Sequence, residues 1–344
     1  MKSIIENQFI ETLARAFPRS EKQLNALQQS DAEILKLSEN GPWLALTMDS
    51  IAEEIESGLY ADPYLAGWMT VMVNASDLAA VGADPLGLLL NETLPASADD
   101  RFLQDLQRGL AEAAIASGLP VLGGDTNTAN HTELSACAIG ILPENRYVSR
   151  IGCQANELLY ASGRLGAGNA FAFAQLQGLA PNGEFKPQPH FKQAKVIRQF
   201  ATCCMDTSDG FIATVDQLMR LNHLGFDVWQ PPETFLHPMA LQIAAQFGVP
   251  KSAFLAGIHG EFELIFTIPP EKKTAFLQQA NQIRWQPILL GEVSTHQELR
   301  LNMAGRTIRP DTAFIRNLFD QRRGQIKQYI QEIIEYLTNL EKGA

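Results

Sequence analysis

The 344-residue chain reads as a two-domain protein of the α+β or α/β class. Three observations predict this. The length suits two domains better than one. Strand-like apolar runs alternate with helical periodicities in both halves. The polar, turn-rich stretch PENRYVSRIGCQANE (143–157) separates the two halves, as a domain junction does. The expected division is a first domain over 1–148, a second over 149–310 and a helical extension over 311–344.

In the first half, Ile5, Phe9, Leu13 and Phe17 have the spacing of an amphipathic helix. GPWLALTMDSI (41–51) reads as a strand. Asp62-Pro63 then suits a cap and first helical position, and Leu65, Trp68, Met69, Met72, Val73 and Leu78 continue a helix to about Val81. Gly82 ends it and Pro85 blocks continuation. LGLLLNETL (86–94) is a strand, 98–118 a helix striped by Phe102, Leu106 and Leu110, and PVLGGDTN (120–127) and ELSACAIGIL (133–142) are strands.

In the second half, ELLYASG (157–163) is a strand that runs into the glycine turn SGRLGAG and a helix, NAFAFAQLQGL. APNGEFKPQPH (180–190) reads as a loop. CCMDTSDGFIATVDQLMRL (203–221) is a strand, an acidic turn and a helix, and FDVWQ, FELIFTI and ILLGEV are further strands. Apolar residues from Ile326 to Leu340 predict one long amphipathic helix over 313–340.

Composition narrows the function. With 46% hydrophobic and 19% charged residues, the chain is an ordinary globular protein. Its 27 basic and 38 acidic residues leave a net charge of −11, which argues against a nucleic-acid surface. No apolar run is long enough to span a membrane. Cys137, Cys153, Cys203 and Cys204 form no C-x-x-C motif, so a reduced, cytoplasmic setting is expected. An acidic protein that handles phosphates needs metal ions between the two negative partners.

Six aspartates carry the chemistry: Asp31, Asp49, Asp77, Asp125, Asp206 and Asp209. Each follows or interrupts an apolar segment beside Ser, Thr or Gly. Several stand at strand ends, where open sheets place ligands. Buried carboxylates need a cation, and basic residues are scarce nearby, so a divalent metal with hard oxygen ligands, Mg²⁺, is the simplest partner. Taken singly, Asp209 could cap a helix, Asp125 could serve a turn and Asp49 could cap the helix after its strand. Asp77 is neither cap nor turn. It lies inside the helix in VNASDLAAVGADP (73–85), three residues after Asn74, and the pair is expected to point at an ion or its waters.

The glycine turns at Gly123-Gly124 and at Gly163, Gly166 and Gly168 could offer backbone amides to phosphates or could reflect close packing. Neither is a Walker A loop. Arg150, at the junction, could pair with a phosphate or a surface carboxylate. No H-E-x-x-H or G-x-S-x-G motif is present, and His259 reads as structural.

In order, SDA, TMDS, ADPYLAGWMTVMVNASDLAAVGADP, LGGDTN, VSRIG, MDTSDG, GEFELIFTIP and LLGEV resemble the thiamine-monophosphate kinases. They also resemble the wider superfamily related to aminoimidazole-ribonucleotide (AIR) synthetase. The resemblance spans roughly residues 3–310. It implies an N-terminal sheet domain that forms a homodimer, a C-terminal α/β domain, and a cleft for ATP and several Mg²⁺ ions. It implies Asp31, Asp49, Asp77, Asp125, Asp206 and Asp209 as metal ligands, with Asp77 and Asp209 catalytic. Gly123, Gly124, Asp125, Arg150 and Ser208 are implied as nucleotide contacts, and Glu56 and Glu261 stand on the acceptor side.

The chain departs from that family at Ser30, Met48, Glu56 and His259-Gly260-Glu261-Phe262, more on the acceptor side than on the metal side. Three readings follow. The first is an ATP- and Mg²⁺-dependent phosphotransferase, its acceptor diverged from thiamine phosphate. The others are an ATP-dependent synthetase or cyclase, and a nucleotide-binding relative without turnover.

Overall fold

The computed structural model describes residues 2–179, 185–257, 259–303 and 305–343. The N-terminal half runs α1 (Ile5–Ala14), β1 (Glu33–Lys36), β2 (Trp43–Ser50), α2 (Ala52–Glu56), α3 (Pro63–Ala80), β3 (Asp84–Pro95), α4 (Asp100–Ser117), β4 (Val121–Ala129) and β5 (Glu133–Leu142). Its strands form a five-stranded sheet in the order β1-β2-β5-β3-β4. Only β3 and β4 pair in parallel, around the crossover helix α4.

The C-terminal half continues with β6 (Leu158–Ala161), α5 (Ala167–Leu176), α6 (Phe191–Phe200), β7 (Cys203–Asp206), α7 (Phe211–Asn222) and β8 (Gly225–Val228). Then come α8 (Pro232–Phe235), α9 (Pro238–Phe247), α10 (Ala253–Ala256), β9 (Leu264–Ile268), α11 (Lys273–Gln282), β10 (Ile288–Ser294), β11 (Leu299–Met303) and β12 (Arg306–Ile308). These strands make a seven-stranded sheet ordered β12-β11-β8-β10-β6-β9-β7. Two helices close the chain, α12 (Thr312–Gln321) and α13 (Ile326–Lys342).

Helix α3 joins the halves. The Asp62 side chain accepts from the Tyr64 amide, Pro63 fills the first position, and Gly82 at φ 76° ends the run. From Ala66 to Ala80 every α3 residue except Val73 and Asp77 is buried, because the helix packs on β2 and β5 of one sheet, on β7 of the other and on α4. Glycines let α3 and α4 cross closely. A Cβ on Gly67 would stand 2.3 Å from the Leu106 carbonyl oxygen, and one on Gly109 would stand 2.0 Å from that of Tyr64.

Two expectations change. The helix expected over 313–340 is two helices, broken where Gly324 adopts φ 78°. Helix α1 forms, yet its apolar stripe faces outward, with Phe9, Leu13 and Phe17 at 63%, 51% and 70% exposure. The helix is held instead by polar ties to α12: Lys2 to Asp311, Glu6 to Arg316 and the Ile5 amide to Asn317. Of the loop read over 180–190, residues 180–184 lie outside the described residues. Strands β1, β11 and β12 and helices α6, α9 and α11 are additional to the expected elements.

Replacing Gly109 by Ala forces α3 and α4 apart. We expect a loss of about 1–3 kcal/mol, measured as a lower urea midpoint with an unchanged m-value.

Candidate functional site

A cleft of about 680 Å³ opens between the first sheet and the segments that follow β5 and β7. Strand β2 brings Thr47 and Asp49, and α3 brings Asp77. The loops before β1, after β5 and after β7 bring Asp31, Arg150 and Ser208-Asp209. Asp206, at the end of β7, completes the centre. Carboxylate oxygens of Asp31, Asp77 and Asp206 all lie within 4.8 Å of one another.

Each of these carboxylates has a donor. Thr47 Oγ1 donates to Asp77 Oδ2 at 2.5 Å, and Ser76 Oγ donates to Asp206 Oδ2 at 2.6 Å. Ser208 Oγ donates to Asp206 Oδ1 at 3.1 Å. Arg150 Nη2 stands 2.9 Å from Asp31 Oδ1, while its backbone amide is fixed on the Gln29 carbonyl at 2.8 Å. The donors do not cover the charge. Asp31 Oδ2 and Arg150 Nε are buried and have no hydrogen-bond partner among the described residues.

The electrostatics follow. Burial raises the pKa of Asp77 well above the usual carboxylate range, and the charges of Asp49, Asp206 and Asp31 add to it. Burial, then the charge of Asp31, pushes Asp206 up to about 7. Burial also raises Asp49, which lies against Asp77. Burial disfavours the Arg150 charge, yet Asp31, Asp77 and Asp206 together hold its pKa above the ordinary value. A group of hard, mutually repelling oxygens with one guanidinium nearby suits a divalent cation.

The helix stretch that interrupts its own apolar face is thereby explained, though not as expected. Asn74 accepts from the Asp49 amide at 3.2 Å and donates to the Thr70 carbonyl at 3.1 Å, so it locks β2 onto α3 and does not reach for an ion. Ser76 ties α3 to β7. Only Asp77 faces the cleft. Met48 is 68% exposed and alternates away from Thr47, so the hydroxyl on Asp77 is retained.

Other expected site residues stand elsewhere. Gly123, Gly124 and Asp125 lie on β4, the exposed edge strand, outside the cleft. Asp125 Oδ2 accepts from Asn127, and a Cβ on Gly124 would stand 1.9 Å from the Leu90 carbonyl oxygen. Glu56 is exposed outside the cleft; Glu54, half a helical turn earlier, lines it. Glu261 is buried and its Oε2 accepts from the Gly166 amide at 2.6 Å. The Gly166 amide of the SGRLGAG turn is therefore engaged, and a Cβ on Gly168 would stand 1.9 Å from the Gly260 carbonyl oxygen, so this turn is shaped by packing.

Asp209 stands at the cleft mouth. With Glu6 and Glu54 it is shared with an adjoining cavity of about 250 Å³, lined also by Arg316 and Arg323. Glu6, Glu54 and His259 were missed as cleft residues. Helix phase could have suggested Glu54. No local signal marks Glu6, which arrives through the ties between α1 and α12.

The AIR synthase related protein, N-terminal domain family matches residues 29–142, the span that supplies Asp31, Asp49 and Asp77. The thiamine-monophosphate kinase of Synechococcus elongatus is 25% identical over 300 residues, covering 82% of this chain and 88% of that protein. The chain carries an AIR synthase related N-terminal domain and is similar, over most of its length, to thiamine-monophosphate kinases. Solved structures share the fold. AaThiL complexed with AMPPCP and TMP superposes with a TM-score of 0.71 at 20% identity, covering 89% of this chain and 94% of that one. The hydrogenase maturation protein HypE of E. coli gives 0.66 at 19% identity, covering 89% and 98%.

The raised carboxylate pKa values have a definite sign. The folded cation-free protein holds protons that the unfolded chain releases near the ordinary Asp value, so stability falls as pH climbs from about 4 through about 7. We expect the melting temperature without divalent cation to be lower at pH 8 than at pH 5.5. Asp77→Asn should shrink that drop, raise the cation-free melting temperature at pH 8, and lose the stabilisation by added Mg²⁺, all read by calorimetric scans.

Glu261 offers a second pH test, away from the cleft. Burial pushes it up to about 8, so the neutral form is the one the fold accommodates and stability falls as pH rises from about 4.5 through about 8. Glu261→Gln should therefore gain on the parent protein between pH 6 and pH 9 in urea titrations.

Proposed function

We propose that this chain is an ATP- and Mg²⁺-dependent phosphotransferase of the thiamine-monophosphate kinase type, with an acceptor that has diverged from thiamine phosphate. The observation that carries the reading is the convergence of Asp31, Asp77 and Asp206 within 4.8 Å, with Asp31 and Asp77 lining one cleft and Asp206 buried directly behind them. Similarity to the Synechococcus elongatus kinase over most of both chains supports the reaction class. A fold shared with a protein bound to AMPPCP and TMP is compatible with it.

The residues present fit Mg²⁺: the donors are carboxylates, and a buried Asp31 oxygen lacks a partner among the described residues. In this reading Asp31, Asp77 and Asp206 hold the metal, with Asp49 beside Asp77. Bound there, Mg²⁺ neutralises phosphate charge that would otherwise meet a wall of carboxylates. Thr47 and Ser76 keep the carboxylates oriented. Arg150, fixed by Asp31 and by its own backbone, turns its remaining N–H groups to phosphate oxygens, and Ser208 adds a hydroxyl. Asp209, Glu54 and Glu6 line the way to the acceptor cavity. An acceptor that is itself a phosphate needs no general base, which suits a cleft rich in Asp.

The acceptor side supports divergence. Glu54 takes the cleft position expected of Glu56, Glu261 braces the glycine turn from behind, and Arg316 and Arg323 line the cavity beyond. We also propose a homodimer through the N-terminal domain. Leu89, Val121 and Leu122 are 42%, 48% and 55% exposed along the open face and edge strand of its sheet. Pairing there carries Gly123, Gly124 and Asp125 toward a partner's nucleotide. The domains in this reading run over 1–148 and 149–310, with 311–344 as the helical extension, in a reduced cytoplasm.

Calorimetry should detect ATP binding only with Mg²⁺ present, and ³¹P NMR with a panel of phosphorylated acceptors should detect transfer of the γ-phosphate. Arg150→Ala should lower kcat/KM by about 10- to 100-fold, the loss of one or two charge-assisted hydrogen bonds. Absence of ATP binding in the presence of Mg²⁺ overturns the reading.

A further inference from the structure

His259 is a wall shared by two cavities. On one side lies the acidic cleft. On the other lies a cavity of about 60 Å³ between α5, α10 and the C-terminal helix α13. That second cavity is lined mainly by apolar side chains, among them Leu59, Phe173, Phe254, Ile330 and Ile333. Three polar side chains interrupt them. The Asn169 amide is engaged, donating to the Phe254 carbonyl and accepting from the His259 backbone N–H, which leaves His259 Nε2 and the Tyr329 hydroxyl. These residues are 5% and 3% exposed, and neither atom has a hydrogen-bond partner among the described residues. An orphaned buried polar atom has lost its hydration without gaining a partner. Two of them in the lining of one cavity mark a place where something is to be bound.

Their chemistry says what. His259 Nδ1 lies 3.2 Å from the Gly260 carbonyl oxygen, which assigns the ring proton to Nδ1. Burial pushes the ring down to about 4, so at neutral pH it is uncharged and Nε2 offers a lone pair. Burial, with the Asp209 charge behind it, keeps the Tyr329 phenol protonated, so it offers an O–H. The complement is a single group that donates to one and accepts from the other. An ammonium only donates and a carboxylate only accepts; a hydroxyl does both. The apolar lining asks for hydrocarbon behind that hydroxyl.

We propose that this cavity binds a small aliphatic alcohol, free or as the end of a larger molecule, its hydroxyl donating to His259 Nε2 and accepting from Tyr329. The site stands whether or not the acidic cleft transfers phosphate, because α13 and the two orphaned atoms define it.

Methyl NMR of the isoleucines in the full chain tests this, with butan-1-ol and pentane as probes of nearly equal shape. Butan-1-ol should give saturable shifts at Ile330 and Ile333, with an affinity at least about tenfold above that of pentane, the worth of one satisfied buried pair. Tyr329→Phe should reduce the preference for alcohol over alkane while leaving pentane binding as it was. Ile333→Trp, which fills the cavity, should abolish the shifts at Ile330. Equal affinity for the two probes overturns the proposal, as does the absence of saturable shifts, the result expected if a water already bridges the two atoms. Should Ile333→Trp fail to fold, the alcohol-to-alkane ratio in Tyr329→Phe decides alone.

Discussion

Carboxylates from three separate segments are held within 4.8 Å of one another with a single guanidinium beside them, and the rest of the molecule is arranged around that repulsion. Like charges at this distance, partly removed from water, strongly oppose joint ionisation. The chain meets this with hydroxyl donors, each from a different element: Thr47 on β2, Ser76 on α3 and Ser208 after β7. Hydroxyls orient a carboxylate without neutralising it. Arg150 neutralises in part. The remaining deficit of positive charge is the defining electrostatic feature of the cleft.

Helix α3 supplies the rigidity that such a site needs. It touches both sheets and α4, is buried on nearly all sides, and is drawn against α4 by paired glycines. Asn74 fixes β2 to it at the Asp49 amide, and Ser76 fixes β7 to it at Asp206. Asp77 therefore cannot move independently of Asp49 or Asp206. Polar residues inside an apolar helix face would be costly if left unpaired. Here two of the three are spent as cross-links and the third is presented to the cleft.

The C-terminal extension lies beside this carboxylate core. The two C-terminal helices stand over the cavity next to Asp209: α12 contributes Arg316, and α13 closes the apolar cavity behind His259. The same α12 holds α1 by ion pairs and so delivers Glu6 to the cleft. The N-terminal segment and the C-terminal extension thus act together on one side of the site. The outward apolar faces of α1 and of the first sheet leave the opposite surfaces open for contact.

Local sequence determined a good deal. The Asp62-Pro63 cap, the helical spacing to Leu78 and the Gly82 stop placed α3 to within a residue, and the position of Asp77 inside it marked a carboxylate that neither cap nor turn explains. The alternation of strands and helices in both halves reported the two sheets, because burial on one face imposes a period that the chain displays directly. Tertiary structure alone decided the rest. Ser76 meets Asp206 across 130 residues, and no local pattern encodes such a partner. Helix phase set Glu54 rather than Glu56 toward the cleft, and sheet order put Asp125 on an exposed edge. A broken helix at Gly324 let α13 pack where His259 and Tyr329 line one cavity. Periodicity and capping are short-range consequences of backbone geometry, whereas the sharing of one cavity by distant side chains depends on how whole elements pack.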